Sequence, residues 1–324
     1  MIKPDNKGKK FIAEIMAFLM VCLFLLSSFQ VPAKAKDSFL AGYVQTVYNQ
    51  KSGIGSNEIN CLYQSSSGYI WVGTDGGLYR SNGSGFQSID LWDTERTDLY
   101  SINCITQDEK GRMWIGTDNY GLFYIEDGKT HHLQEEYYNG IKMIISIAVA
   151  SDGTVYVGSM NGLYTICDVS DTGRTDTSEY CLQPCSNSTL AGTEFRGLVS
   201  KADEIWGLTS NNLIYVFNQD GILKKIEISD QTADELNAIY VCQNQVYVGT
   251  TGYEVYVFRS ATSRHTIVSG VDGINSFMQD TQGRVWVCAD NGYGYFDSRS
   301  NFVKINDSKV DTYISCMIQD YEGN

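Results

Sequence analysis

From residue 59 onward, short apolar runs alternate with breaks rich in Gly, Asp, Asn and Ser. The runs favour Val, Ile, Tyr and Trp, as strands do. No segment beyond the N-terminal region carries a helical period. Several runs are apolar at every position, as in Ile70-Trp71-Val72, Met113-Trp114-Ile115 and Val285-Trp286-Val287. That pattern belongs to a strand covered on both faces.

Self-comparison shows one unit repeated. Ile59-Asn60-Cys61-Leu62, Ser67-Gly68, Ile70-Trp71-Val72-Gly73-Thr74 and Gly77-Leu78-Tyr79 return as Ile102-Asn103-Cys104-Ile105, Gly111, Met113-Trp114-Ile115-Gly116-Thr117 and Gly121-Leu122-Phe123-Tyr124. Further copies centre on Tyr156, Trp206, Tyr247 and Trp286, and a seventh begins at Ile314-Ser315-Cys316-Met317. The central aromatics are 43, 42, 50, 41 and 39 residues apart. A period near 40 with several strands per unit predicts propeller blades. The predicted fold is all-β: a seven-bladed β-propeller, incomplete at the C-terminus, with the chain ending in the seventh blade. Tyr43 to Tyr48 is predicted to be a stray strand that completes the last blade and ties the ends together.

The local chemistry agrees with this reading. Asp108, Asp152, Asp280 and Asp320 recur just before a Gly and are expected to cap tight turns. Gly73, Gly116, Gly158 and Gly249 are expected to let neighbouring blades approach closely. Cys61, Cys104 and Cys316 share one repeat position and read as buried free thiols. Cys181 and Cys185 stand in one loop at a spacing that permits a local bridge, the alternative being two free thiols.

Charge changes the list of partners. The chain carries −14 over 324 residues. Such a surface repels phosphate backbones, which excludes nucleic acid as a partner. The N-terminus is the exception, with six Lys against Asp5 and Glu14 in its first 36 residues. Lys7, Lys9 and Lys10 precede an apolar run from Phe11 to Phe29, and Ala33-Lys34-Ala35 fits a cleavage site. Residues 1–35 are therefore expected to be a signal peptide or an N-terminal membrane anchor, and residues 36–324 the propeller.

The sequence offers little catalytic chemistry. Its three histidines are His131, His132 and His265, and adjacent residues of a strand point to opposite faces, a poor geometry for a shared metal. Neither a serine-nucleophile signature nor a phosphate-binding loop occurs, so no catalytic residue, metal or cofactor is expected. Recognition remains. The blade-to-blade segments Asp90–Tyr100, His131–Lys142 and Asp168–Glu194 are long, and binding concentrates in such loops. Trp92, Tyr100, Tyr120, Tyr137, Tyr138 and Tyr253 fall in these loops or in turns of the same face. They would offer flat platforms with polar edges, suited to a small-molecule or oligosaccharide ligand.

The run from Ile59 to Arg80 closely resembles the two-component regulator propeller repeat, departing from it by Ser-Ser-Ser-Gly at the turn. The resemblance implies the extracytoplasmic ligand-sensing region of a membrane-attached signalling receptor. Its output module would lie beyond this chain, diguanylate cyclase being preferred to histidine kinase, and a homodimer would carry the signal. Two alternatives are a secreted adhesion or scaffold protein and a propeller enzyme such as a lyase or glycosidase.

Overall fold

The computed structural model describes residues 44, 46–92, 100–133, 141, 143–169, 180–228, 234–259, 264–297, 299–305 and 313–324. The expected leader, residues 1–35, lies outside them.

Six four-stranded antiparallel meanders form. Blade 1 comprises β1 (Ile59–Gln64), β2 (Ile70–Thr74), β3 (Gly77–Ser81) and β4 (Phe86–Ile89). Blade 2 comprises β5 (Ile102–Gln107), β6 (Met113–Thr117), β7 (Leu122–Glu126) and β8 (Lys129–His132). Blade 3 comprises β9 (Ile144–Val149), β10 (Val155–Ser159), β11 (Gly162–Asp168) and β12 (Tyr180–Pro184), followed by a single helical turn, α1 (Ser188–Ala191). Blade 4 comprises β13 (Phe195–Lys201), β14 (Glu204–Thr209), β15 (Leu213–Asn218) and β16 (Gly221–Glu227). Blade 5 comprises β17 (Leu236–Cys242), β18 (Gln245–Thr250), β19 (Glu254–Phe258) and β20 (Arg264–Val268). Blade 6 comprises β21 (Ile274–Gln279), β22 (Val285–Ala289), β23 (Gly292–Phe296) and β24 (Phe302–Ile305).

The all-β propeller is as expected, but the blade number is six and not seven. The seventh copy of the motif forms no sheet. Residues 313–324 instead carry no strand and lie between blade 6 and blade 1, bonded to both, with a turn at Asp320–Asn324. Counting by the opening motif overestimates the blades, because the motif specifies only an inner strand and its turn. Of the expected stray strand Tyr43–Tyr48, the described residues 44 and 46–48 carry no strand, and Val44 is 93% exposed; Tyr43 and Gln45 lie outside the described residues.

The repeat explains how the ring holds. Each inner strand begins with a β-bulge at its second residue: Asn60, Asn103, Ile145, Arg196, Asn237 and Asn275. A bulge re-aims the side chain it carries. Here most of these side chains reach the next blade. Asn103 Nδ2 donates to the Ile144 carbonyl (3.0 Å), Asn237 Nδ2 to that of Ile274 (2.9 Å), and Arg196 Nη1 to that of Leu236 (3.1 Å). Asn60 Nδ2 donates to Ser101 Oγ at 2.9 Å. Asn275 Nδ2 reaches the Ile314 carbonyl at 3.1 Å, and Ser315 Oγ donates to the carbonyl of Ile59. The chain of clasps thus returns to blade 1. At the other end of the inner strands, Gln107 Oε1 accepts from Ser66 N, Gln319 Oε1 from Thr281 N, and Gln64 Oε1 from Tyr321 N.

Packing follows from the same unit. A Cβ on Gly116 would lie 2.5 Å from Cys104 Sγ and 2.6 Å from Ile144 Cγ2 of the next blade, so the missing side chain sets the approach of the sheets. Cys104 fills that contact as a free thiol, and burial pushes its pKa up to about 12. Cys61 and Cys316 are likewise free. Cys181 is not paired with Cys185: it lies in β12 opposite Cys167 of β11 and is bonded to it, leaving Cys185 free. Part of the expected long loop Asp168–Glu194 is therefore ordered as a strand and a helical turn.

Candidate functional site: an aromatic cluster on the loop face

Turns between second and third strands share one face with the blade-to-blade connections, because each blade is a simple meander. A buried hydroxyl shapes most of these turns. Thr117 Oγ1 donates to the Gly121 carbonyl (2.8 Å) and accepts from Tyr120 N (3.0 Å), which fixes Tyr120 at the turn of blade 2. Thr74 does the same in blade 1, donating to Gly77 O and accepting from Gly76 N.

The connection out of blade 1 brings the next two aromatics. Asp90 Oδ1 accepts from Trp92 N at 3.0 Å, a local turn that directs the indole, while Leu91 is buried beneath. Leu91 N donates to the Tyr100 hydroxyl oxygen at 3.4 Å. Burial raises the Tyr100 pKa above its ordinary value.

Three of the six sequence-predicted residues therefore come together. Trp92 meets Tyr120 edge-on at 5.6 Å between centroids, and Tyr100 meets Tyr120 at 6.5 Å. Two further rings, which the sequence reading did not select, complete the cluster. Trp92 is edge-on to Phe123 at 5.0 Å and to His132 at 4.7 Å, and His132 stacks on Phe123 at 4.3 Å. His132 Nε2 donates to the Tyr120 carbonyl at 2.7 Å, so its Nε2 carries a proton. The alternation His131-out, His132-in is the available signal. The pair lies in strand β8 and not in a loop, and His131 stacks instead on Tyr124 at 4.6 Å. Trp92, Tyr100 and Tyr120 are each half-buried against the core between blades 1 and 2, leaving part of each ring at the surface.

The other predicted residues separate. Tyr253 sits in the corresponding turn of blade 5, 55% exposed, with its carbonyl held by Ser269 N and Oγ. It makes no ring contact among the described residues. Tyr137 and Tyr138 lie outside the described residues.

On the same face, blade 1 carries a carboxyl pair. Asp75 Oδ1 accepts from Asn60 Nδ2 (2.7 Å) and Ser101 Oγ (2.9 Å), and these bonds lower its pKa, Asn60 most. A hydrogen bond with Asp75 raises that of neighbouring Glu58. This carboxyl pair was not visible in the sequence, where the two residues stand 17 positions apart. A cavity of about 850 Å³ opens beside it, between the apolar face of blade 1 (Leu62, Val72, Phe86) and Ile314–Cys316.

These features define a β-propeller with an aromatic cluster on its loop face. Two stretches, residues 53–76 and 98–119, match the two component regulator propeller repeat, which bears out the resemblance read from Ile59–Arg80. No curated protein matches the chain in sequence. Among solved structures, the extracellular domain of the B. thetaiotaomicron protein BT4673, described as a hybrid two component system, shares the fold with a TM-score of 0.63 and 19% identity. The match covers 84% of this chain and 37% of that one, so the chain spans well under half of its length. Virginiamycin B lyase from Staphylococcus aureus is also similar in fold, with a TM-score of 0.62 and 13% identity over 78% of this chain and 85% of that one.

Proposed function

We propose that this propeller is the extracytoplasmic recognition domain of a membrane-attached signalling receptor, and that the cluster of Trp92, Tyr100 and Tyr120 takes a sugar or oligosaccharide. The convergence of these three half-buried rings on one rigid face carries the reading. Flat rings with polar edges suit the alternating C–H and O–H faces of a sugar. The matched repeat and the fold shared with the extracellular domain of BT4673 support placement outside the cytoplasm. The Cys167–Cys181 bond supports it too, since such bonds persist in oxidising compartments. On this reading the domain binds without turnover, and a diguanylate cyclase or a histidine kinase carries the output elsewhere in the receptor.

The test is a titration of the purified protein with a panel of neutral oligosaccharides, read by tryptophan fluorescence. At least one should bind, with affinity falling about tenfold in Trp92→Ala. Binding that is indifferent to Trp92→Ala, no binding across the panel, or cleavage of the added glycan would each overturn the proposal.

A further inference from the structure

A second cavity, of about 300 Å³, lies between blades 4 and 5. It opens near the turns that join first and second strands, on the side of the ring opposite the aromatic cluster. Its charge is anomalous for this molecule. The chain as a whole carries −14, yet Lys201, Lys224 and Arg259 all line this one cavity. None of the three side chains has a hydrogen bond or an ion pair among the described residues. Four other basic side chains are engaged in ion pairs: Arg112 and Arg284 with Asp108 and Asp280, Arg196 with Glu235, and Lys225 with Glu227.

The single carboxylate of the cavity is already occupied. Glu204 Oε2 accepts from Trp206 Nε1 at 3.1 Å. Three cations against one carboxylate leave the cavity positive. Its floor is apolar and rigid, because Trp206 and Phe258 belong to the packed core between the two blades. Cations that converge without partners over an apolar floor match an anionic group attached to a compact body.

We propose that this cavity binds a small organic anion, with Lys201, Lys224 and Arg259 gripping its carboxylate or phosphate and its body resting against the Trp206–Phe258 floor. The site is separate from the aromatic cluster, and the inference does not depend on that cluster binding anything.

The experiment is isothermal titration calorimetry of the purified protein at low ionic strength with cyclohexanecarboxylate, cyclohexyl phosphate and cyclohexanol, none of them a sugar. At least one of the two anions should bind, and which one does identifies the charged group that the cavity prefers. Binding should weaken as salt is added and fall about tenfold or more in the triple variant Lys201→Gln/Lys224→Gln/Arg259→Gln. If the triple variant does not fold, Arg259→Gln alone, at an exposed position, should still lower the affinity. Failure of both anions to bind, equal binding of cyclohexanol, or unchanged affinity in the folded cation variants would overturn the proposal.

Discussion

The repeated Asp of the turns does more than its turn role requires. Asp280 Oδ1 accepts from the backbone of Gln282 and Arg284, while Oδ2 accepts from Arg284 Nε (2.6 Å) and Trp286 Nε1 (2.8 Å). Asp108 repeats the arrangement with Arg112 and Trp114. Burial alone would push the Asp280 carboxyl up, but the Trp286 and Arg284 bonds and the guanidinium charge together hold it below its ordinary value. A carboxyl whose folded pKa is depressed contributes stability above its unfolded pKa of about 3.9 and loses it as pH falls through the folded value. Asp280→Asn should therefore be destabilised at neutral pH, and its deficit relative to wild type should shrink as pH drops below about 4. Denaturant melts at several pH values measure this.

Blade 1 supplies the contrasting case. Ser65 replaces the Asp, and the buried Trp71 Nε1 has no acceptor among the described residues. A buried donor left unpaired costs about 1–3 kcal/mol. Restoring the motif with Ser65→Asp/Tyr69→Arg should raise stability by about 1–2 kcal/mol, with Ser65→Asp alone gaining less because its charge lacks the arginine. Equilibrium unfolding of both variants decides it.

At the scale of elements, the strands were legible and the reasons for the motif were only partly so. Ile-Trp-Val-Gly-Thr announces a covered strand through its composition, and the Gly was read correctly as a contact between sheets. Gly116→Ala should cost about 1–3 kcal/mol through overpacking, whereas Gly85→Ala, whose Cβ meets nothing within 4 Å, should be near neutral. Thermal unfolding of the two variants gives the comparison. The Asn of Ile-Asn-Cys was legible only as a recurring residue. Its role depends on a bulge, and a bulge leaves no mark in apolar periodicity because the apolar residues on either side still face the core. The Cys167–Cys181 bond was hidden for a related reason: its partners are 14 positions apart on strands whose register the sequence did not fix. Trp92, Tyr100 and Tyr120 were found because loop aromatics stand out. Phe123 and His132 were missed because they read as ordinary strand residues. The cationic cavity was invisible, since Lys201, Lys224 and Arg259 come together only when blades 4 and 5 stack.

At the scale of the propeller, residues 313–324 lie between the sixth sheet and the first. Among the described residues no sheet ladder joins this segment to blade 1. The join rests on the Ser315 bond to the Ile59 carbonyl, on the Tyr321 amide bond to the Gln64 side chain (2.9 Å) and on the Tyr321 hydroxyl bond to the Gln64 carbonyl (3.5 Å), across 256 and 257 positions of sequence. Loss of the first two through Ser315→Ala/Gln64→Ala should remove about 2 kcal/mol. It should also speed amide exchange of Tyr321 while leaving that of Val157, in the middle of blade 3, unchanged at the same temperature. Equal acceleration at both amides would show that the seam and the blades open as one unit.

A bracelet fails at its clasp. Tension drawn between Ile59 and Ser315 loads a few hydrogen bonds in shear before any complete sheet feels it. The ring would therefore part at this point and splay, its six links still folded, and a pull between these two residues would be turned into a hinge-like widening of the disc.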